Sequence, residues 1–228
     1  PPYKGMSKKD YASNFEAFLT TRDSEKPFCF WFGTHEAHRK YEKDSYKKEN
    51  KDLSKVRVQA FFPDNELVRG DLADYGVEVE YHDLQIGLAL ASLEKRGLLD
   101  NTIIIFTSDN GSPGQDGTNM SGEMNSIFKY DHYPNAPFKG MKTDLWEGGH
   151  HVPFIVSWPG KIKSNTISTE TICHSDLLAT CADILKIPIP LKEAEDSYSL
   201  LSLLLDEKNN YERPYTIHHS GTGVFAIR

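Results

Sequence analysis

A carboxylate and a carboxamide, Asp109 and Asn110, end the apolar stretch that begins at Thr102. The stretch is short and rich in β-branched residues, which favours a strand buried on both faces. Ligands of open α/β sheets bind beyond the carboxyl ends of the strands. Both side chains carry the hard oxygen ligands that calcium and magnesium prefer. Taken alone, Asp-Asn-Gly is also typical of a simple turn.

Two further predicted strand ends carry imidazole and ammonium groups. The run 28–32 leads into His35 and His38, and the segment that contains Lys142 precedes the apolar run 152–158. One sheet edge would bring oxygen ligands, a cation and imidazoles together, a mixture suited to hydrolysis of an anionic ester. The metal and Lys142 would hold the oxygens of the anion, and His35 would donate a proton or a hydrogen bond. Taken singly, the histidines could be ordinary loop residues and Lys142 a solvated surface lysine.

The whole chain sets broad bounds on function. Its 228 residues are enough for one domain, or for one large domain and a small one. The net charge of −7 argues against nucleic-acid binding, and no apolar run is long enough to cross a bilayer. The three cysteines lack the C-x-x-C spacing of a zinc site. The chain starts without methionine and stops inside an expected strand, so we expect truncation at both ends.

Apolar spacing predicts alternating helices and strands, hence an α/β protein with a largely parallel central sheet. Residues 70–97 form the clearest helix, with Gly97 as its C-terminal stop. The aromatic run 28–32 is predicted as a buried strand that places Cys29 in the core. Further predicted elements are a helix at 11–21, a surface excursion at 40–56, a long loop at 111–140, a strand at 152–158, a helix at 175–185 capped by Ser175 or Asp176, a short amphipathic piece at 196–205, and a hairpin from 215–218 and 224–227.

Five segments resemble motifs of one enzyme family, in the order in which that family has them. Residues 98–111, which end in Phe-Thr-Ser-Asp-Asn-Gly, look like the signature strand of the formylglycine-dependent sulfatases. Residues 140–149, Gly-Met-Lys-Thr-Asp-Leu-Trp-Glu-Gly-Gly, resemble the lysine motif of that family. Residues 34–38, Thr-His-Glu-Ala-His, resemble its histidine-containing strand end. Residues 175–180 are similar to a helix of the family, and residues 225–228 to the strand that begins its C-terminal region.

The resemblance implies the fold of alkaline phosphatase, a mixed and largely parallel sheet between helical layers, here incomplete at both termini. It implies that Asp109 and Asn110 ligate a divalent cation, which is calcium in most sulfatases. Lys142 would bind the sulfate oxygens and stabilise the leaving oxygen. His35 would contact the sulfate or protonate the leaving group, and His38 would face the substrate beyond the sulfate.

The chain departs from the family pattern at the nucleophile. The family uses a cysteine in a Cys-x-Pro-Ser-Arg pattern, oxidised to formylglycine, and none of the cysteines here is followed by such a sequence. The family's N-terminal pair of metal-binding aspartates has no counterpart, since no two aspartates are adjacent. We therefore expect 1–213 to be the C-terminal part of a catalytic domain, 214–228 to begin a C-terminal subdomain, and the formylglycine to lie in a missing segment. Without a nucleophile there is no covalent path, so we expect the isolated chain to be inactive.

The expected partners are a sulfated small molecule or glycan and the remainder of the sulfatase chain, with no nucleic acid and no membrane. Family habit implies a periplasmic, extracellular or lysosomal protein, although this sequence contains no targeting signal. Two other functions stay open. One is a phosphoesterase of the same superfamily, over which the 140–149 motif favours a sulfatase. The other is a non-catalytic protein that binds a sulfated glycan.

Overall fold

The computed structural model describes residues 2–113, 131–190, 192–206 and 210–228. These residues form two compact units. The first contains the described residues up to 99 together with 131–134, and the second contains 100–113 and the described residues from 135 onwards. No helix among the described residues is long and apolar enough to span a membrane.

The described residues of the first unit contain three α-helices, α1 (Tyr11–Thr21), α2 (Ser45–Lys48) and α3 (Glu66–Lys95), and a short 3-10 helix at Leu53–Lys55. The predicted helices at 11–21 and 70–97 are confirmed, although α3 begins four residues earlier than expected. Asn65 explains that start, because its side chain accepts the Val68 N–H at 3.0 Å as an N-cap. Gly97 ends the helix as predicted, with φ at +65°. Its N–H donates to the Glu94 carbonyl at 2.9 Å, as in a Schellman motif.

The aromatic run 28–32 is extended but pairs with no strand of the described sheets. Phe30 packs on α1, with its ring centroid 4.8 Å from that of Phe15 and 4.9 Å from that of Phe18. The alternate residues point away, so Trp31 is 76% exposed and Cys29 is exposed. The predictions of a buried strand and of a core position for Cys29 are therefore wrong in this structure. The period of two places only one face of the run against α1.

The charged stretch 40–56 is not only the surface excursion predicted from its composition. Ser45 and Tyr46 of α2 are buried. The carboxylate of Asp74 on α3 accepts hydrogen bonds from the Ser45 hydroxyl at 2.8 Å and from the Tyr46 N–H at 3.0 Å. One buried carboxylate thus anchors a segment whose many lysines and glutamates suggested only solvent contact.

Where the structure describes the second unit, it shows four short strands and three α-helices. Strand β1 (Ile104–Thr107) pairs with β2 (Phe154–Ser157), and β3 (Ile217–His219) pairs with β4 (Phe225–Ile227). The helices are α4 (Glu147–His150), α5 (Asp176–Leu185) and α6 (Leu201–Leu204). The strands, the terminal hairpin and α5 confirm the predicted elements within a few residues, and α6 lies within the predicted piece 196–205. The predicted loop 111–140 lies largely outside the described residues.

Both described strand pairs are antiparallel, whereas the sequence predicted mainly parallel pairing. Ile104 is opposite Ser157 and Thr107 is opposite Phe154. Strand β1 is also not buried on both faces, because Ile105 is 38% and Phe106 44% exposed. A continuous apolar run favours two covered faces, but the described sheet of two strands does not provide them.

Buried charge anchors α5 to the following chain. The Asp176 carboxylate is fully buried and forms an ion pair with Arg213, whose side chain is 5% exposed. It also accepts the N–H groups of Cys173 at 2.7 Å and Tyr198 at 3.0 Å. The side chain of Ser175 makes no capping hydrogen bond, so the sequence was right about the helix and wrong about Ser175 as a side-chain cap.

Candidate functional site

Asp109 and Asn110 follow β1 directly, as predicted. Asp109 is exposed and Asn110 is half-buried. The amide nitrogen of Asn110 donates to the Gly111 carbonyl at 2.9 Å, which leaves its side-chain oxygen available to a ligand. The Ser108 hydroxyl donates to the Asn110 carbonyl at 3.1 Å and tightens the turn. The end of β1 therefore presents a carboxylate and a carboxamide oxygen side by side in sequence.

The lysine segment is hydrogen-bonded directly to this strand end. The Lys142 N–H donates to the Ser112 carbonyl at 3.0 Å, and the Gly111 N–H donates to the Gly149 carbonyl at 2.9 Å. Asn135 adds a side-chain bridge, because its amide accepts from the Ser112 N–H at 3.0 Å and donates to the Ser112 carbonyl at 2.9 Å. The end of β1 and the lysine segment thus form one hydrogen-bonded unit.

Glycines allow this close approach. A Cβ on Gly111 would lie 1.8 Å from the Gly148 carbonyl oxygen, and a Cβ on Gly148 would lie 2.1 Å from the Gly140 carbonyl oxygen. Neither distance is possible for real atoms, so the backbones could not pack this way with larger residues. The glycine spacing of the 140–149 motif is therefore a requirement of packing against the end of β1.

The Lys142 ammonium has no ion-pair partner among the residues that the structure describes. Its neighbour in the same segment is engaged differently, since the Lys139 ammonium lies 3.8 Å from the centroid of the Trp146 ring. Trp146 thus holds one lysine by a cation–π contact. Within the described part of the chain, Lys142 is thus the lysine of this region whose ammonium remains available to an anion.

The terminal hairpin contributes imidazoles next to the lysine segment. The Gly221 N–H donates to the Thr143 carbonyl at 2.8 Å and joins the hairpin to that segment. The rings of His150 and His218 lie 4.6 Å apart. Burial, and next the neighbouring His218, lower the pKa of His150, which therefore favours its neutral form at neutral pH.

His35 and His38 lie together on one loop of the first unit. Their rings are 5.0 Å apart and nearly parallel. The His35 N–H donates to the Tyr11 hydroxyl oxygen at 2.9 Å and to the Glu36 carboxylate at 3.1 Å. A polar cleft of about 470 Å³, lined in part by His35 and Tyr11, opens beside them. The His35 imidazole is therefore exposed, while its main chain is fixed by hydrogen bonds to Tyr11 and Glu36.

Arg39 fastens the same loop to α3. Its guanidinium donates two hydrogen bonds of 2.6 Å to the Asp71 carboxylate, a bidentate pair that is mostly buried. The Asp71 pairing, like the Asp74 anchor, was missed from the sequence. The sequence does contain a pattern that indicates these contacts: acidic residues recur every three or four positions along α3 and so form a polar face beside the apolar one.

The donor chemistry fits a hard cation only in part. Asp109 and Asn110 supply two oxygen groups, whereas calcium takes six to eight oxygen ligands in proteins. Among the described residues, no group of three or more histidines, cysteines, aspartates or glutamates is placed to hold a metal ion. The two predicted ligands therefore match the chemistry of the cation but do not complete its shell. All three cysteines are free thiols.

The predicted site residues fall into two groups. Asp109, Asn110 and Lys142 lie on the bonded segments of the second unit, and His35 and His38 lie on the loop of the first. The described residues combine helices and strands, which makes the chain an α/β protein.

Residues 1–187 match the family model described as Sulfatase. The chain belongs to the sulfatase family. It is 30% identical to an N-acetylgalactosamine-6-O-sulfatase of Bacteroides thetaiotaomicron, with 96% of this chain and 38% of the relative covered. It is 31% identical to a steryl-sulfatase of Rattus norvegicus, with 67% of this chain and 25% of the relative covered. The chain thus spans well under half of the length of either protein.

A solved structure gives the same result at the level of fold. A protein from Bacteroides thetaiotaomicron, described in terms of the metabolism of multiple glycosaminoglycans, is 33% identical with a TM-score of 0.54. The match covers 71% of this chain and 31% of that chain. The predicted family and fold class are thereby confirmed.

Proposed function

We propose that this chain carries the lysine and metal-ligand segments of a sulfuric ester hydrolase, and that the whole protein cleaves a sulfate ester, on a carbohydrate. One observation supports this above the others: Lys142 donates its N–H to Ser112 within the unit that also holds the end of β1. An available ammonium and two oxygen ligands are then fixed to one piece of backbone. An ammonium and hard oxygen ligands on hydrogen-bonded segments are the groups that suit binding of a sulfate next to a cation.

In this proposal each side chain has a separate task. Lys142 binds the sulfate oxygens and stabilises the negative charge that develops on the leaving oxygen. His35, which is exposed on a loop with a fixed main chain, contacts the sulfate or protonates the leaving group. His38 lies beside it and faces the substrate beyond the sulfate. The nucleophile, a formylglycine, is expected in a segment outside this sequence.

Asp109 and Asn110 would hold a divalent cation, calcium by resemblance, with further ligands from outside this chain. When bound, the ion would neutralise charge on the sulfate oxygens. The position of Asn110 does not depend on the ion, because its side chain donates to the Gly111 carbonyl and the lysine segment is hydrogen-bonded to the same turn. Two groups alone would bind calcium weakly, since ligand number and charge set the affinity.

The substrate class rests on the relatives. One is an N-acetylgalactosamine-6-O-sulfatase, which favours a sulfated carbohydrate, and another is a steryl-sulfatase, which keeps other sulfated small molecules open.

We further propose that residues 1–213 belong to the catalytic domain and 214–228 begin a C-terminal subdomain. Export to the periplasm, the lysosome or the cell exterior is proposed on family habit.

The test is sulfate release from defined sulfated saccharides by the full-length protein that carries these residues, measured by ion chromatography. Lys142→Ala should lower kcat by about 10²- to 10³-fold, the usual cost of removing one transition-state donor. Lys139→Ala is the matched control, because the same substitution three residues earlier removes a lysine that contacts Trp146. The 228-residue chain alone should release no sulfate. Release of phosphate from phosphate esters in place of sulfate would instead support a phosphoesterase.

A further inference from the structure

One face of α3 is polar and buried beneath the His35 loop. Five polar residues recur along it every three or four positions, the spacing of a single helix face. Four of them have partners outside the helix: Asp71 binds Arg39, Asp74 binds Ser45 and Tyr46, His82 lies 2.8 Å from the Thr34 hydroxyl, and Gln85 accepts the Ala12 N–H at 2.9 Å. The fifth is Glu78, in the middle of the face.

Glu78 is 2% exposed, and neither of its carboxylate oxygens has a hydrogen-bond partner among the described residues. The main chain of Gly5 covers it, since a Cβ on Gly5 would lie 3.6 Å from one of these oxygens. An ionised carboxylate in such a place would lose its hydration without gaining a hydrogen bond or a counter-charge, which strongly disfavours the charged form. Glu78 is therefore neutral in the folded protein at mildly acid pH.

Glu36 links Glu78 to the candidate catalytic loop. It is 8% exposed, and its carboxylate accepts the Ser7 N–H at 2.7 Å and the His35 N–H at 3.1 Å. It thus fixes the main chain of the residue that precedes it. Burial, followed by the negative charge of Glu36, raises the pKa of Glu78 to about 7.

The other titratable groups around Glu78 do not neutralise it. Tyr41 lies in the segment that follows the loop. It supplies no positive charge, and the negative charge of an ionised Glu78 would oppose loss of the Tyr41 proton. On α3 itself, Asp74 and His82 lie one turn away on either side, each with a partner of its own. Arg39 is paired with Asp71. Ionised Glu78 would therefore act mainly as a second negative charge close to Glu36.

We propose that Glu78 is a positioning residue for His35: in its neutral form it lets the Glu36 carboxylate hold the His35 main chain, and its ionisation opposes that hold. The catalytic part of this inference rests on the proposed role of His35. Glu78 itself touches neither the cleft nor the substrate in this view.

The test compares wild type, Glu78→Gln and the control Glu80→Gln in the full-length protein. Glutamine keeps the shape of Glu78 and cannot ionise, while Glu80 is an exposed residue of the same helix. The first readout is hydrogen exchange of the His35 amide between about pH 6 and pH 8, corrected for the intrinsic rate. Wild type and Glu80→Gln should lose protection across this range, and Glu78→Gln should keep it.

The second readout is the pH profile of kcat for sulfate release. At about pH 8, Glu78→Gln should retain about tenfold more of its maximal kcat than wild type does, because only about a tenth of wild-type Glu78 stays protonated one unit above its pKa. KM should change less than kcat.

Equal amide protection in wild type and Glu78→Gln would overturn the proposal, and so would altered protection with identical pH profiles. If the protein hydrolyses no sulfate ester, the exchange result still decides the link between Glu78 and Glu36, while the proposed function fails separately.

Discussion

Replacing Glu78 by glutamine should remove a specific pH dependence from the stability of the fold. Burial and the nearby Glu36 carboxylate raise the pKa of Glu78 from 4.5 to about 7. The folded state therefore holds this proton more tightly than the unfolded chain does. The stabilisation is fully present below the unfolded pKa and is lost as the pH rises through the folded pKa.

The magnitude follows from the size of the shift. A difference of one pKa unit corresponds to 1.36 kcal/mol, so the shift of Glu78 corresponds to roughly 3 kcal/mol. Wild type should lose about that much free energy of unfolding between about pH 4.5 and pH 8, relative to Glu78→Gln, whose side chain does not titrate. Most of the change should fall below pH 7, where the unfolded chain is ionised and the folded protein is still protonated.

The assay is equilibrium urea unfolding of the chain at several pH values from about 4.5 to 8, followed by circular dichroism. Glu80→Gln changes the same functional group on the exposed side of α3, and its stability curve should stay close to that of wild type. The difference between wild type and Glu78→Gln should therefore grow with pH. A constant difference over the whole range would refute the view that Glu78 is a buried neutral acid.

Three further substitutions test the packing of the second unit and its buried pair. Gly111→Ala should destabilise the protein by about 1–3 kcal/mol, because its Cβ has no room, whereas Gly76→Ala, in open space, should be neutral or slightly stabilising in the same thermal melts. Asn135→Ala should cost about 1–2 kcal/mol and expose the amides of the lysine segment to hydrogen exchange. Arg213→Ala should cost about 3–5 kcal/mol by leaving the buried Asp176 unpaired, and Asp176→Asn in the same background should recover part of the loss in urea unfolding.

Local patterns in the sequence were sufficient for the elements that carry the candidate site. The period of α3, the stop at Gly97 and the turn after Asp109 depend on neighbouring residues, so they were readable without the fold. The packing of the lysine segment against the end of β1 was expected from the idea of a shared sheet edge. The glycines of that segment were visible, but the contact distances that require them were not.

The contacts that were missed are long-range and polar. Nothing in the composition of 40–56 shows that Ser45 would donate a hydrogen bond to Asp74, because the two residues are 29 positions apart in the sequence. The orientation of the strand pairs was also unreadable, since an apolar run predicts burial and carries no information about direction. The exposure of Cys29 could not be predicted for a similar reason. The run around it is apolar, but only alternate residues face α1.

The most direct measurement is sulfate release by the full-length protein and its Lys142→Ala variant, with Lys139→Ala measured alongside on the same sulfated saccharide. If the end of β1 and the lysine segment form a sulfate-binding site, wild type and Lys139→Ala release sulfate at similar rates, and Lys142→Ala loses about 10²- to 10³-fold in kcat. Equal rates for Lys142→Ala and Lys139→Ala would contradict the central claim that Lys142 binds the sulfate.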